Sequence, residues 1–243
     1  MTIHEAIDVR RSRRKYIPEP LDSTIVEQLR ALAKEYCQAG NCRMELVFNN
    51  GSAFNGLRKS YGMFSGAEHY AGLIADKNDA EATERLGYYG ELFMLHAVAL
   101  GLGTCWVGGS FSRKECPFEL TPNEQIVCTI SLGQTPEQNS FRERLIYNIT
   151  HRKTKSMEDM YVSDSPVPDW FISGMRAVQK APSAVNKQPV VFSYKEGKVT
   201  ATIANPTNSG NLLDMGIAKL HFELGAGGGK WAWGNGGGYT REL

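Results

Sequence analysis

Hydrophobic positions along the chain fall into two spacings, one typical of helices and one typical of strands. From Ile25 to Ala33 apolar residues recur every three or four positions, and Asp22 or Ser23 can cap that helix. Helical spacing also covers 79–102 and 214–224. Asp169 can cap a further helix that carries Trp170, Phe171, Met175 and Val178 and runs into Ala181-Pro182. Short apolar runs predict strands over 44–48, 70–75, 124–132, 190–194 and 199–203, the last two joined by a tight turn at 195–198.

Two features bear on how the chain is divided. The segment from Ser163 to Pro168 combines turn-forming residues with two prolines, so it is the best candidate linker. We therefore expect an N-terminal half over 1–162 and a shorter C-terminal half over 163–243. The tail from Gly225 onward holds eight glycines before Tyr239 and is expected to be mobile unless it docks.

Composition excludes several classes of partner. Lys and Arg total 27 against 26 for Asp and Glu, so the chain offers no general attraction to nucleic acid or to an anionic membrane. Five cysteines are an odd number without metal-ligand spacing, which favours reduced thiols in a cytoplasmic protein and no metal site. The first six residues lack a basic region followed by an apolar stretch, so we expect no leader, and no segment is long enough to span a bilayer.

The first candidate for ligand chemistry is the run Arg10-Arg11-Ser12-Arg13-Arg14 after a short amphipathic helix. Arg10, Ser12 and Arg14 alternate, so three donors can converge on one phosphate through charge-assisted hydrogen bonds. The alternatives are a solvated basic patch or a nucleic-acid contact. The near-neutral charge and the absence of interleaved aromatic residues argue against the nucleic-acid alternative.

The second candidate is the run from Ala181 to Pro189. A turn fixed by Pro182 presents the hydroxyl of Ser183 and the amides of Asn186 and Gln188, and these groups can meet the polar edge of a flat ring or a chain of hydroxyls. Ordinary turn chemistry is the alternative.

The third candidate is the glycine-rich run 101–109, which follows the apolar second part of the helix predicted over 79–102. Its glycines let the backbone approach a planar ligand, although they also suit a plain helix stop and bend. Arg152 and Lys153 form a second basic spot that can assist a phosphate or remain on the surface. His96 and His221 lie on apolar helices and are interpreted as core residues without a catalytic role.

A degenerate internal repeat is also visible. Residues 38–43 align with 183–188, so that Asn41 corresponds to Asn186, and each follows a helix and precedes a strand. Leu95-His96 corresponds loosely to Leu220-His221. Chance similarity between helix-turn-strand units is the alternative to duplication.

Taken in order, these elements read Arg-x-Ser-x-Arg, Gly-Leu-Gly-x-Cys-Trp-x-Gly-Gly and Ala-Pro-Ser-x-x-Asn-x-Gln-Pro. This order resembles the nitroreductase family over nearly the whole chain. The resemblance implies an α+β fold of two pseudo-symmetric halves, each a sheet flanked by helices. It also implies non-covalent flavin mononucleotide (FMN) and ping-pong transfer of electrons from NADH or NADPH to nitroaromatics, quinones or similar small acceptors.

The resemblance assigns three groups of residues to the cofactor. Those at the phosphate are Arg10, Ser12 and Arg14, with Arg11 near the ring and Arg152 or Lys153 assisting. Those beside the ring edge are Val107, Gly108 and Gly109. Those that replace a partner subunit's contacts are Pro182, Ser183 and Asn186.

One departure from the family pattern matters. Ordinary members carry Ala-Pro-Ser-x-x-Asn soon after the arginines, but 36–41 lacks the proline and the serine, and no arginine motif precedes Trp170. We therefore expect a fused pseudo-dimer that acts as a monomer, with one flavin site retained and its symmetry mate lost. A flavin-binding or flavin-storing protein without turnover is the alternative function.

Overall fold

The computed structural model describes residues 1–54, 62–137 and 153–242, and the chain divides into two compact units. The first unit comprises Met1–Ala82 and Leu92–His151, and the second comprises Thr83–Glu91 and Arg152–Leu243. The halves expected at 1–162 and 163–243 are those of a fused pseudo-dimer, which are defined differently from compact units. Their boundary stays a prediction. Within the described ranges no helix combines the length and the apolar character needed to cross a membrane.

The first unit is a four-stranded antiparallel sheet with helices. Its elements are α1 (Ile3–Val9), α2 (Ser23–Gly40), β1 (Arg43–Val47), β2 (His69–Asp76), β3 (Gly103–Val107) and β4 (Glu124–Gly133). The strand order is β1-β2-β4-β3. Helix α3 (Ala82–Ala99) is shared, since 83–91 belong to the second unit and 92–99 to the first.

Local sequence explains the helix ends in this unit. Thr2 and Glu5 form a reciprocal capping box at α1, and the Asp22 carboxylate accepts the Thr24 N–H at the start of α2. Asn41 adopts the left-handed conformation that ends α2. The predicted cap of this helix is thus confirmed.

Burial follows the predicted pattern along β2, where every residue from His69 to Ala75 is buried. Tyr70 and Phe54 pack edge to face at 5.2 Å between ring centroids and belong to one apolar cluster. The segment after α3 differs from expectation. Residues 103–107 form the edge strand β3 rather than a bend, because they pair with β4 over their whole length.

The second unit is a five-stranded mixed sheet with two helices of its own. Its elements are β5 (Tyr161–Ser163), α4 (Asp169–Lys180), β6 (Val190–Lys195), β7 (Lys198–Ile203), α5 (Ser209–Gly225), β8 (Gly229–Trp231) and β9 (Gly238–Arg241). The strand order is β5-β6-β7-β9-β8, with β5 and β6 parallel and the other pairs antiparallel. The predicted hairpin of β6 and β7 is confirmed.

Two glycines place residues 83–91 in this unit. A Cβ at Gly216 would collide with the carbonyl oxygen of Glu84, and one at Gly87 would collide with that of Leu213. The two helices therefore touch backbone to backbone, a closeness that any larger residue would prevent. Every residue of α5 from Leu213 to Phe222 is buried as a result of such packing within the folded chain.

The glycine-rich tail meets the condition under which it is not expected to be mobile, because it docks, whereas the predicted Asp169 cap of α4 is wrong. The glycine-rich tail is ordered, because β8 and β9 pair with each other and β9 pairs with β7. Tyr239 and Trp231 bury their rings in the same apolar cluster as Phe222, which supplies the docking that composition alone did not reveal. Asp169 lies in the first turn of α4, and Pro168 occupies the cap position.

Candidate functional site

The arginine run leaves α1 and continues as an extended segment within the first unit. Ser12 forms a parallel bridge with Thr104 of β3, and the Arg13 N–H donates to the Thr104 carbonyl at 2.8 Å. On its other edge the segment pairs with Ser65, whose N–H donates to the Arg14 carbonyl at 3.0 Å. Because successive side chains alternate in an extended chain, Arg10, Ser12 and Arg14 lie on one side of the segment, and Arg11 and Arg13 lie on the other.

Arg13 is held by the loop after β4. Its guanidinium donates to the Thr135 hydroxyl at 2.8 Å and to the Pro136 carbonyl at 2.7 Å. These bonds fix the segment and assign Arg13 a structural role, consistent with its omission from the predicted phosphate contacts.

Arg10 is in the opposite situation. Its Nε and one terminal nitrogen are buried, and neither has a hydrogen-bond partner in the part of the chain that the structure describes. A buried guanidinium donor without an acceptor is unfavourable, so the position favours an anionic ligand. Ser12 and Arg11 are exposed, and Arg14 is half-buried.

Strand β3 leads from the residue that pairs with this segment to Gly108 and Gly109, at the end of the glycine-rich run. Thr104, which is bridged to Ser12, is fully buried, and its hydroxyl has no partner among the described residues. Four residues further on, about 13 Å at the ~3.3 Å rise of a strand, Gly108 and Gly109 are exposed. A Cβ at either glycine would meet no atom within 4 Å.

These features fit FMN at the level of donor chemistry. The cofactor has an anionic phosphate at one end and a flat ring at the other. The first unit offers the buried Arg10 donors, which have no partner among the described residues, near one end of β3 and an open backbone at the other. Arg113 holds that backbone, because its guanidinium donates to the carbonyls of Gly108 and Ile126, each at 3.1 Å.

The predicted turn after α4 lies in the second unit and is strained. Val185, Asn186 and Gln188 have φ values of 47°, 52° and 46°, in the left-handed region. That conformation is unusual for a β-branched residue such as Val185, whose side chain is half exposed. The Ser183 hydroxyl accepts the Gln188 N–H at 2.9 Å, which fixes the turn.

Gln188 is occupied inside this unit. Its side-chain oxygen accepts the Lys155 N–H at 2.8 Å, its amide nitrogen donates to the Gln179 carbonyl at 3.4 Å, and the residue is buried. The Lys155 ammonium donates to the Gln188 carbonyl at 2.9 Å. These bonds make Gln188 a residue that shapes the turn, while its predicted contact with a cofactor stays untested.

A recess beside the turn is lined by Pro182, Ser183, Gln188 and Asp214, together with apolar residues of α4 and α5. Its space is about 230 Å³ and part of that is open to solvent. Ligand pockets usually measure ~300–1,000 Å³, so this recess is too small to enclose a flavin. The turn can at most touch one edge of such a ligand.

Asp214 is the polar residue that sequence reasoning missed. Its carboxylate accepts the Ala184 N–H, at 3.1 Å to Oδ1 and 3.2 Å to Oδ2. Burial raises the pKa of Asp214 to about 7, against the opposing effects of the Ala184 hydrogen bond and the nearby Lys187 charge. Its position in the apolar run Leu212-Leu213-Asp214-Met215 is a signal that could have revealed it.

The remaining candidates divide as follows. Lys153 is exposed in the second unit, and Arg152 lies outside the described residues.

His221 is fully buried, with Nε2 2.9 Å from Glu91 Oε1 and Nδ1 3.1 Å from the Ala177 carbonyl, so its predicted core role is confirmed. The structure thus groups Arg10, Ser12, Arg14 and 107–109 in the first unit, and it groups Pro182, Ser183, Asn186 and Gln188 in the second.

Comparison with known proteins places the chain. A protein-family model described as "Putative TM nitroreductase" matches residues 2–226. The chain belongs to the nitroreductase family. The match extends over most of both units, and it makes the protein a member of a family of oxidoreductases.

Solved structures agree on the fold. The structure of "a putative nitroreductase" from Thermotoga maritima is similar with a TM-score of 0.64 and 20% identity, covering 98% of this chain and 92% of that chain. This likeness establishes the α+β nitroreductase fold. No curated protein sequence matches the chain significantly.

Two further structures match over a smaller part of the chain. The FMN-dependent nitroreductase NfnB from Mycobacterium smegmatis, in complex with NADPH, has a TM-score of 0.44 and 19% identity, covering 55% of this chain and 87% of that chain. A nitroreductase with bound FMN from Bacteroides fragilis has a TM-score of 0.43 and 15% identity, covering 58% of this chain and 92% of that chain.

Proposed function

We propose that this protein is an FMN-dependent oxidoreductase that passes electrons from NADH or NADPH to a nitroaromatic, a quinone or a similar small acceptor. Membership of the nitroreductase family supports the reaction class. The single observation that carries the cofactor assignment is Arg10, whose buried Nε and terminal nitrogen lack partners within the described residues. When bound, FMN supplies the electron chemistry, so the protein needs no side-chain nucleophile.

The first unit's own residues bind and orient the ligand in this proposal. Arg10 and Arg14 neutralise the phosphate, and the Ser12 hydroxyl donates a third hydrogen bond to it. Arg13 keeps the segment extended through Thr135 and Pro136, so that the alternate donors face the ligand together. Gly108 and Gly109 leave the space that a ring edge needs.

We further propose that Pro182, Ser183 and Asn186 supply the contacts that a second subunit gives in ordinary members, which would make the chain a fused pseudo-dimer. This step rests on the family resemblance. The Ser183 hydroxyl oxygen already accepts the Gln188 N–H, which leaves its hydrogen able to donate to a ligand.

The test of the cofactor and of turnover is anaerobic reduction. The purified protein is saturated with FMN, freed of unbound flavin and mixed with NADH or NADPH. Fading of the yellow absorption, followed by its recovery on adding a quinone or a nitroaromatic, is the expected result. A bound flavin that stays oxidised with both nucleotides would indicate the flavin-storage alternative, and failure to retain FMN would refute the proposal.

The fused pseudo-dimer has a separate test. Light scattering combined with flavin absorbance should give one FMN per monomeric chain. Ser183→Ala and Asn186→Ala should each weaken FMN binding by about tenfold, the effect of ~1.4 kcal/mol. A homodimer, or FMN affinity unaffected by both changes, would contradict this part of the proposal without affecting the first.

A further inference from the structure

Two cysteines meet where α2 ends. The Cys42 N–H donates to the Cys37 carbonyl at 3.1 Å, and the Asn41 N–H donates to the Gln38 carbonyl at 3.5 Å, with Asn41 in the left-handed conformation. This pairing is that of a Schellman helix end, which characteristically brings the side chains of its first and last residues into contact. In this chain both of those residues are cysteines, five positions apart.

The surroundings of Cys37 favour its thiolate. Its Sγ accepts the Met44 N–H at 3.1 Å from the start of β1, and the neighbouring Cys42 thiol donates to the Tyr36 carbonyl at 3.8 Å. Hydrogen bonding from Cys42 to the thiolate form is the main cause that lowers the pKa of Cys37 to about 7, while burial and the Glu45 charge oppose the fall. Both thiols are half-buried, so small molecules can reach them.

The other cysteines are placed differently. Cys105 and Cys128 are buried, and burial raises the pKa of Cys128 to about 12. Cys116 is half-buried like Cys37, but burial raises the pKa of its thiol instead of lowering it. Thiol reactivity depends on the thiolate and on access, which concentrates it at the pair.

We propose that Cys37 and Cys42 form a redox-active dithiol that a small disulfide, such as oxidised glutathione, converts to an intramolecular disulfide. The Cys37 thiolate attacks one sulfur of the small disulfide, whose S–S bond breaks and releases one thiolate. Cys42 then loses its proton to solvent and attacks the Cys37 sulfur, which releases the second thiolate. The two cysteines are oxidised, and one small disulfide is reduced to two thiols.

The helix end makes this closure easy. The backbone hydrogen bond from Cys42 to Cys37 already holds the two residues together before oxidation. Closing so short a loop removes little entropy from the unfolded chain, so the disulfide adds little stability and is readily reduced again. This behaviour suits a reversible modification rather than a structural crosslink.

Intact mass spectrometry of the full chain tests the proposal. The reduced protein is treated with oxidised glutathione, and we expect the loss of two hydrogen atoms with a crosslink mapped between Cys37 and Cys42. Cys42→Ser should instead trap glutathione on Cys37, and Cys37→Ser should not react at this site. Cys116→Ser is the matched control and should still form the disulfide. Absence of both the crosslink in the native chain and the trapped adduct would overturn the proposal.

Alkylation rates provide a second measurement that needs no variant. With iodoacetamide at neutral pH, the folded native chain should be modified at Cys37 about tenfold or more faster than at Cys116, because more of Cys37 is thiolate. After unfolding the two rates should become equal, because the local surroundings of Cys37 are lost. Equal rates at the two sites in the folded protein would refute the special reactivity of the pair.

Discussion

Two buried cations, Lys219 in the second unit and Arg10 in the first, are in opposite situations. In the second unit Lys219 is completely buried, donates to the carboxylate of Glu84 and donates to the carbonyls of Ala232 and Gly234 at 3.0 and 3.1 Å. In the first unit Arg10 buries two nitrogens that have no acceptor within the described chain. Because a buried charge is stable only when it is paired, we assign Lys219 a structural role, and we propose that Arg10 binds a ligand.

Breaking the pair in the second unit should have the largest effect. In the native chain the Gly234 N–H donates to a carboxylate oxygen of Glu84 at 2.7 Å. Glu84→Gln leaves the Lys219 charge without a counter-charge, and it can place an amide N–H against the Gly234 N–H. We expect a loss of about 3–5 kcal/mol in the free energy of unfolding, measured by urea denaturation.

The control for this change is Glu158→Gln, at an exposed position of the same unit, which should change the free energy of unfolding by less than about 0.5 kcal/mol. Replacing Glu84 and Lys219 together by methionine should recover most of the lost free energy of unfolding, because neither member of the pair then buries a charge. A Glu84→Gln variant as stable as the native chain would contradict the structural role of the pair.

The corresponding change in the first unit should affect binding rather than stability. Arg10→Met removes the charge but keeps most of the side-chain volume, so the free energy of unfolding without FMN should stay the same or rise slightly. Loss of a charge-assisted hydrogen bond worth about 1.5–3 kcal/mol should weaken FMN binding roughly 10- to 100-fold, measured by quenching of flavin fluorescence.

Arg176→Met, at an exposed position on α4, is the matched control and should leave FMN affinity unchanged. If Arg10→Met destabilised the protein without flavin as much as Glu84→Gln does, the contrast between the two units would disappear. Arg10 would then be a structural residue like Lys219.

Asp214 lies between these two cases, because it is buried and accepts a backbone N–H but its carboxyl pKa rises to about 7. In the unfolded chain the carboxyl titrates near pH 4. The folded protein therefore binds more protons between about pH 4 and pH 7, and this group makes stability fall as pH rises through that window.

Urea denaturation at pH 5 and pH 8 measures that dependence. Asp214→Asn should reduce the fall by on the order of 1–3 kcal/mol. Part of the fall should remain, because burial also raises the pKa of Glu223 to about 7 and its contribution has the same sign. An unchanged fall in Asp214→Asn would show that the carboxyl titrates normally in the folded protein.

The smallest expected effect concerns the strained turn. Val185→Asn places a residue that tolerates left-handed backbone at φ 47°, and it should raise the free energy of unfolding by about 1 kcal/mol. Val162→Asn, at an exposed position in the strand β5, should give no such gain. If Val185→Asn stabilises the protein and also weakens FMN binding, the strain belongs to the binding site rather than to folding alone.

Much of the fold could be predicted because its signals are local. The Asp22 cap of α2, the turn between β6 and β7, and the buried run of β2 each follow from residues a few positions apart. The arginine run was recognised in the same way, since its alternation is visible in five residues. The different roles of its arginines could not be predicted, because Arg13 differs from Arg10 only in its contacts with Thr135 and Pro136, which are remote in sequence.

The omissions concern residues whose partners are remote in sequence. The composition of the glycine-rich tail left open whether it docks, and the structure shows that it does: Gly234 donates to Glu84, 150 positions away, and Tyr239 packs on Phe222. Asp214 was overlooked because its meaning depends on Ala184, 30 positions earlier. Composition describes what a segment can do in isolation, and here it did not reveal what the segment packs against.

The sequence by itself determined the Asp22 cap of α2, the buried run of β2, the hairpin of β6 and β7, and the family pattern of arginines, glycines and the proline turn. Capping, turn formation and side-chain alternation depend on residues a few positions apart, so their signals can be read from the sequence alone. Only the tertiary structure decided which buried charges are paired within the described chain. Lys219 and Glu84 are 135 positions apart and meet only after folding removes both from water, whereas the same folding buries Arg10 without an acceptor in the described chain.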